Sequence, residues 1–258
     1  MGDMIDLITQ SPEYFRDGNI WRVILNIHTA VQGVGLGLLV LFFVIGVMKT
    51  CGTFTELKRP EVAVKIFVRF ALARAAVVYG LELMMALFSI VQGLISRILW
   101  AAGMMSANYI TLPDEIRTAI NSVGFLDRLG LWIVTLLGSL IILVLSIIMI
   151  MSVYGRFFKL YMFAAISPVP LAAFAGEPTA NMGRAFIKSY AAVCLEGAII
   201  VLALIIFNAF AGTPPVIDTS VDAGMQVWAY IGEVAFNLLV LVGMVKMADR
   251  LVREMLGL

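Results

Sequence analysis

Histidine occurs once in the 258 residues, at His28, and cysteine twice, at Cys51 and Cys194. A single histidine excludes histidine-rich metal centres and leaves little for a nucleophile–histidine triad. The two cysteines lie far apart without metal-ligand spacing and define no disulfide framework, so both are read as free thiols. Charge is also scarce. Only 14% of residues are Asp, Glu, Lys or Arg, 62% are hydrophobic, and the mean hydropathy is +1.01. Soluble domains run at about a quarter charged and about half apolar, so a soluble globular chain is excluded. No Walker loop, HExxH or GxSxG is present. No catalytic, metal or cofactor set is therefore expected, although a bound phospholipid suits such a chain. There is no repeat of 20–50 residues and no low-complexity linker. The opening MGDMIDLITQ has Asp3 and Asp6 where a secretory signal needs positive charge, and no Ser or Thr at position six for myristoylation.

What the chain does contain is apolar runs long enough to cross a bilayer, which takes about 20 residues. The fold class that follows is all-α, a polytopic transmembrane helical protein. Five spans are expected, at about 30–48, 66–102, 130–153, 190–210 and 227–248, as one transmembrane domain over 30–248. Residues 1–29 read as an amphipathic interfacial segment with Trp21 at headgroup level, and 249–258 as an amphipathic tail. The run 66–102 is too long for one crossing, so its first turns, with Arg69 and Arg74, should project from the membrane. Between the spans, 103–129 offers a helix start at Pro113, Asp114 and Glu115 with Ile116, Ile120 and Val123 on one face. Residues 211–226 read as an acidic loop with Asp218 and Asp222.

The stretch MFAAISPVPLAAFAGEPTANMGRAF, residues 162–186, is the ambiguous one. Its apolar part is short, and Pro168 and Pro170 remove two backbone donors. Lys and Arg placement bears on it. Eleven of the 18 basic residues fall in three groups: Lys49, Lys58, Arg59 and Lys65; Arg156, Lys159, Arg184 and Lys188; Lys246, Arg250 and Arg253. All three groups share one side of the membrane only if 160–175 does not cross it. The positive-inside rule then puts the N-terminus outside and the C-terminus in the cytoplasm. Residues 160–175 are accordingly read as a broken or re-entrant segment held by Pro168, Pro170, Gly176 and Pro178, at a pathway or subunit boundary. A Pro-kinked ordinary span is the alternative.

Ionisable residues inside apolar runs mark function or a buried partner. Glu82, Glu196 and Glu233 are such residues, read either as pathway-lining acids or as buried hydrogen-bonded carboxyls. Gly33 and Gly37 form a GxxxG pair suited to close helix packing. His28 is read as an interfacial polar residue.

The segments RFFKLYMF, SPVPLAAFAGEPT and FIKSYAAVCLEGAIIV, within 156–207, resemble the TrbL-type, VirB-six-like inner-membrane subunit of conjugative type IV secretion systems, in its Gram-positive conjugative-element branch. The resemblance is weaker over residues 1–30 and in the two outside loops. It implies a non-enzymatic, multi-pass component of the bacterial plasma (inner) membrane. It also implies a homo-oligomeric ring of about five or more, small stalk-base partner subunits, and single-stranded DNA with attached relaxase as cargo. A cytoplasmic basic mouth of Lys58, Arg59, Lys65, Arg69, Arg156 and Lys159 is the expected place of contact with DNA. Two other readings are a secondary or proton-coupled transporter using Glu196 and Glu233, and a structural holin-like membrane protein.

Overall fold

The computed structural model describes residues 8–50, 60–103, 118, 125–211 and 223–258. Among them every regular element is helical. A 3₁₀ turn, Phe15–Gly18, leads into α1 (Asn19–Thr50). Then come α2 (Pro60–Val78), α3 (Gly80–Ala101) and α4 (Phe125–Ile166). A five-residue helix α5 (Pro168–Ala172) and a 3₁₀ turn Ala173–Ala175 precede α6 (Ala180–Ala211) and α7 (Ala223–Leu256). Among the described residues, five helical stretches are long and apolar enough to cross a membrane: Asn19–Lys49, Gly80–Ala101, Thr135–Ile166, Ala180–Phe210 and Met225–Leu256.

The apolar runs mark these helices but not their ends, because a helix continues past its hydrophobic part wherever packing supports it. Helix α1 starts at Asn19, well before residue 30. Helix α4 runs unbroken to Ile166, so residues 160–166 belong to it and the interruption begins at Ser167. At 42 residues α4 is about 63 Å long, twice a hydrocarbon core of about 30 Å. The last ten residues continue α7, which carries through to Leu256. The run 66–102 is two helices, not one. They meet in a bend at Tyr79, where Gly80 admits the Leu171 side chain into the place a Cβ would occupy.

Two compact units are present. One comprises residues 96–154 and 199–248 with the N-terminal end to Ile8; within it Gly138 of α4 receives the Ile231 side chain of α7. The other comprises Thr9–Ile95, Gly155–Ala198 and Asp249–Leu258. Its core joins Leu39 of α1 and Ala73 and Val77 of α2 to Leu171, Ala172 and Ala175 of the interrupted segment. Phe42, Phe43, Phe70 and Phe174 surround that core. The segment ahead of α1 docks on protein here: Phe15 stacks on Phe157 at 4.3 Å, and the Tyr161 hydroxyl donates to the Pro12 carbonyl at 2.8 Å. Expected features at Cys51, Lys58, Arg59, Pro113–Glu115, Ile116, Ile120, Val123, Asp218 and Asp222 lie outside the described residues.

Candidate functional site at the interrupted segment

A continuous helix through Ser167 would need an amide at position 168 to donate to the Ala164 carbonyl. Pro168 has none, so that carbonyl loses its partner at a buried position. Two side chains replace it. His28 Nδ1 lies 2.9 Å from Ala164 O, and Ser167 Oγ donates to the same oxygen at 3.1 Å. Since a carbonyl only accepts, Nδ1 carries the proton in this geometry. His28 is therefore a buried cap on a broken helix, not the interfacial residue expected from its position near the start of a span.

The same face of α1 repeats the device one turn further on. Gln32 Nε2 donates to Val77 O at 3.3 Å and to Val78 O at 3.2 Å, the carbonyls at the α2–α3 bend. Below it the face turns to close packing. A Cβ on Gly35 would collide with Pro168, and one on Gly46 with the Cα of Gly176. Residues 28, 32, 35, 39, 42 and 46 thus recur at alternating spacings of four and three. This is the a/d seam of a helix packed along its length. Gly33 and Gly37 are not on it. Each faces away, with nothing near its would-be Cβ, because two residues of helix rotate a side chain by about 200°. The GxxxG pair therefore does not make the close contact; the glycine between them does.

The interrupted segment ends as compactly as it begins. Gly176 is extended (φ −103°, ψ 139°) and sits against the Phe42 carbonyl, where a Cβ would clash. Thr179 Oγ1 closes the turn, donating to Ala173 O at 2.7 Å. Pro168 is buried, Pro170 half-buried, and Pro178 exposed beside Glu177. Glu177 accepts from Arg69 Nη1 at 3.3 Å.

Arg156 was expected at a basic mouth; it is instead fully buried. Its Nε donates to Val193 O at 3.2 Å and its Nη2 to Cys194 O at 3.3 Å, and its guanidinium lies 5.7 Å from the centre of the Phe88 ring. The guanidinium fills the space a Cβ at Gly197 would need, so that glycine is the condition for the arginine. Lys159, one turn on, is also withdrawn from a mouth. Its Nζ pairs with Asp249 at 2.9 Å and with Glu196 at 3.3 Å, joining α4, α6 and α7. Asp249 is further held by Arg253 at 3.1 Å. Of the three acids expected to be enclosed, only Glu196 is buried. Glu82 and Glu233 are exposed, because each stands on the outward face of its helix. Lys65 is exposed and Arg69 half-buried, so among the described residues these two remain of the expected mouth. Cys194 is a buried free thiol.

Sequence reasoning missed Gln32, the inward role of Gly35, Gly46 and Gly197. The four–three spacing through His28 and Gln32 was the available signal for the first three. Gly197 had none, since its partner lies on another helix. No buried side-chain nitrogen or oxygen among the described residues lacks a hydrogen-bond partner. The polar groups of this region thus hold helices to one another.

No curated protein and no solved structure matches the chain. A family does. The match covers residues 1–168, including the first thirty residues, where the resemblance read from sequence was weaker. It stops at Pro168, so most of SPVPLAAFAGEPT and all of FIKSYAAVCLEGAIIV lie beyond it. The matched part contains the whole α1 seam, the α2–α3 bend and α4 with its freed carbonyl. On this evidence the chain belongs to the TrbL/VirB6 plasmid conjugal transfer like protein family.

Proposed function

We propose that this protein is a multi-pass plasma-membrane scaffold subunit of a conjugative type IV secretion machine, without catalytic turnover. In this reading copies assemble as a ring with small stalk-base partners, and the assembly passes single-stranded DNA with its relaxase. The observation that carries the scaffold role is how the buried polar groups are used. Arg156, Lys159, Glu196 and His28 are each bonded to a neighbouring element. A carrier needs such groups facing a route, whereas here Glu196 is held by Lys159 and Glu233 stands on an outer face. This favours the scaffold over a proton-coupled carrier.

The proposed orientation has the N-terminus outside and the C-terminus in the cytoplasm, from the lysine and arginine balance. Gly33 and Gly37, outward on α1 beside exposed Val34, Val40 and Val44, suit contact with a second subunit. DNA contact is assigned to Lys58 and Arg59. The test combines mass measurement of the purified protein in nanodiscs with conjugation frequency. A ring of five or more, and transfer lowered at least tenfold by reversing those two charges at unchanged protein level, is expected. A stable monomer with unchanged transfer overturns the proposal. Labelling Asn181→Cys from the outer face only would reverse the orientation.

A further inference from the structure

Within the second unit, α2 and the first turns of α6 flank an open cleft of about 400 Å³. Three basic side chains line it: Lys65 and Arg69 from α2, and Arg184 from α6. Arg69 shares its charge with Glu177 at 3.3 Å. Lys65 and Arg184 pair with no carboxylate among the described residues, so the cleft carries a net charge of about +2. The remaining lining is apolar, with Val68, Leu72 and Ala76 on α2 facing Phe174.

The order along α2 is informative. Positions 65, 69, 72 and 76 recur every three or four residues and share one face. Charge occupies the first two positions and aliphatic surface the next two. A ligand matched to this face has an anionic group at one end and a hydrocarbon portion leading away from it. A free phosphate would need only the charged end. A nucleic acid strand needs charge repeated along its length and aromatic faces for its bases. One phenylalanine and an aliphatic floor supply neither. We propose that this cleft binds an anionic glycerophospholipid. Its phosphate sits between Lys65, Arg69 and Arg184, and the first methylenes of one acyl chain lie on Val68, Leu72 and Ala76. This rests on the chain's lying in a bilayer and not on its part in transfer. It assigns to lipid two residues that the sequence pointed towards DNA.

The test is native mass spectrometry of the full chain from nanodiscs, offered phosphatidylglycerol or phosphatidylcholine, with inorganic phosphate and an oligothymidylate as competitors. Phosphatidylglycerol should be retained at least tenfold over phosphatidylcholine. K65Q/R184Q should lower that retention about 25-fold, near fivefold for each charge removed at a membrane surface. Ala76→Leu, which leaves every charge in place, should weaken phosphatidylglycerol binding but not phosphate or oligothymidylate binding. Circular dichroism monitors folding, and exposed Arg184→Gln alone, at about fivefold, carries the test if the double variant misfolds. Equal retention of the two lipids, or no loss in either charge variant, overturns the proposal. So does displacement of the lipid by phosphate at equal concentration, which marks a plain anion site. Displacement by oligothymidylate with the same variant sensitivity overturns it in favour of nucleic acid.

Discussion

If His28 is bonded to Ala164 because Pro168 cannot be, the two residues must be energetically coupled although they lie on different elements. A double-mutant cycle measures that coupling. His28→Leu removes the donor at 2.9 Å and leaves the Ala164 carbonyl with Ser167 Oγ at 3.1 Å. Partial satisfaction puts the cost near the ordinary net value of a hydrogen bond, about 1 kcal/mol. Pro168→Ala restores a backbone amide within reach of the same carbonyl, while Pro170 still ends the helix. In that background His28 is redundant, and His28→Leu should cost close to nothing beyond repacking. The coupling is therefore about 1 kcal/mol, well above the ~0.3–0.5 kcal/mol within which independent sites add. Unfolding midpoints of the four proteins in one detergent supply the cycle, at roughly 2–4 °C per kcal/mol for a chain of this size. Additive midpoints would refute the capping argument, since His28 would then contribute only by its volume.

Three further outcomes follow from the same region. Gly35→Leu should destabilise the protein by ~2 kcal/mol or more by forcing Pro168 off α1, whereas Gly33→Leu should leave the thermal midpoint within about 1 °C. Gly197→Ala should cost ~1–3 kcal/mol by overpacking the Arg156 guanidinium, and Arg156→Met should cost less in that background than alone, read by the same midpoints. Lys159→Met should cost ~1–2 kcal/mol, discounted because Lys159 and Asp249 are about a third exposed; adding Glu196→Gln should recover most of the loss in denaturant titrations.

The membrane architecture was legible because it follows from composition and run length alone. The break near Pro168 was legible for an equally local reason, a missing donor. What failed was everything that needed a second element. Arg156 reads as a loop cation beside the apolar run 130–153, until the helix is seen to continue and Gly197 to make room for it. Gly33 and Gly37 match a known pairing motif, yet the contact falls on Gly35, since which face of α1 turns inward is set by Pro168 and not by α1. Glu82 and Glu196 look alike in sequence. Only the position of Lys159 and Asp249 separates the enclosed acid from the exposed one. The bend at Tyr79 carries no proline, and its cause, Leu171 against Gly80, is more than ninety residues away.

The seam on α1 also has a consequence for biogenesis. Its first partner, the α2–α3 bend met by Gln32, follows 45 residues later, but the carbonyl met by His28 follows only 136 residues later. At ribosomal speeds of roughly 5–20 residues per second, that is on the order of ten seconds. During that interval α1 sits in the bilayer with a protonated ring nitrogen and two bare glycines facing nothing of their own chain. A nascent chain in that state is a substrate for whatever in the membrane shelters polar helices, and Pro168 ends the wait.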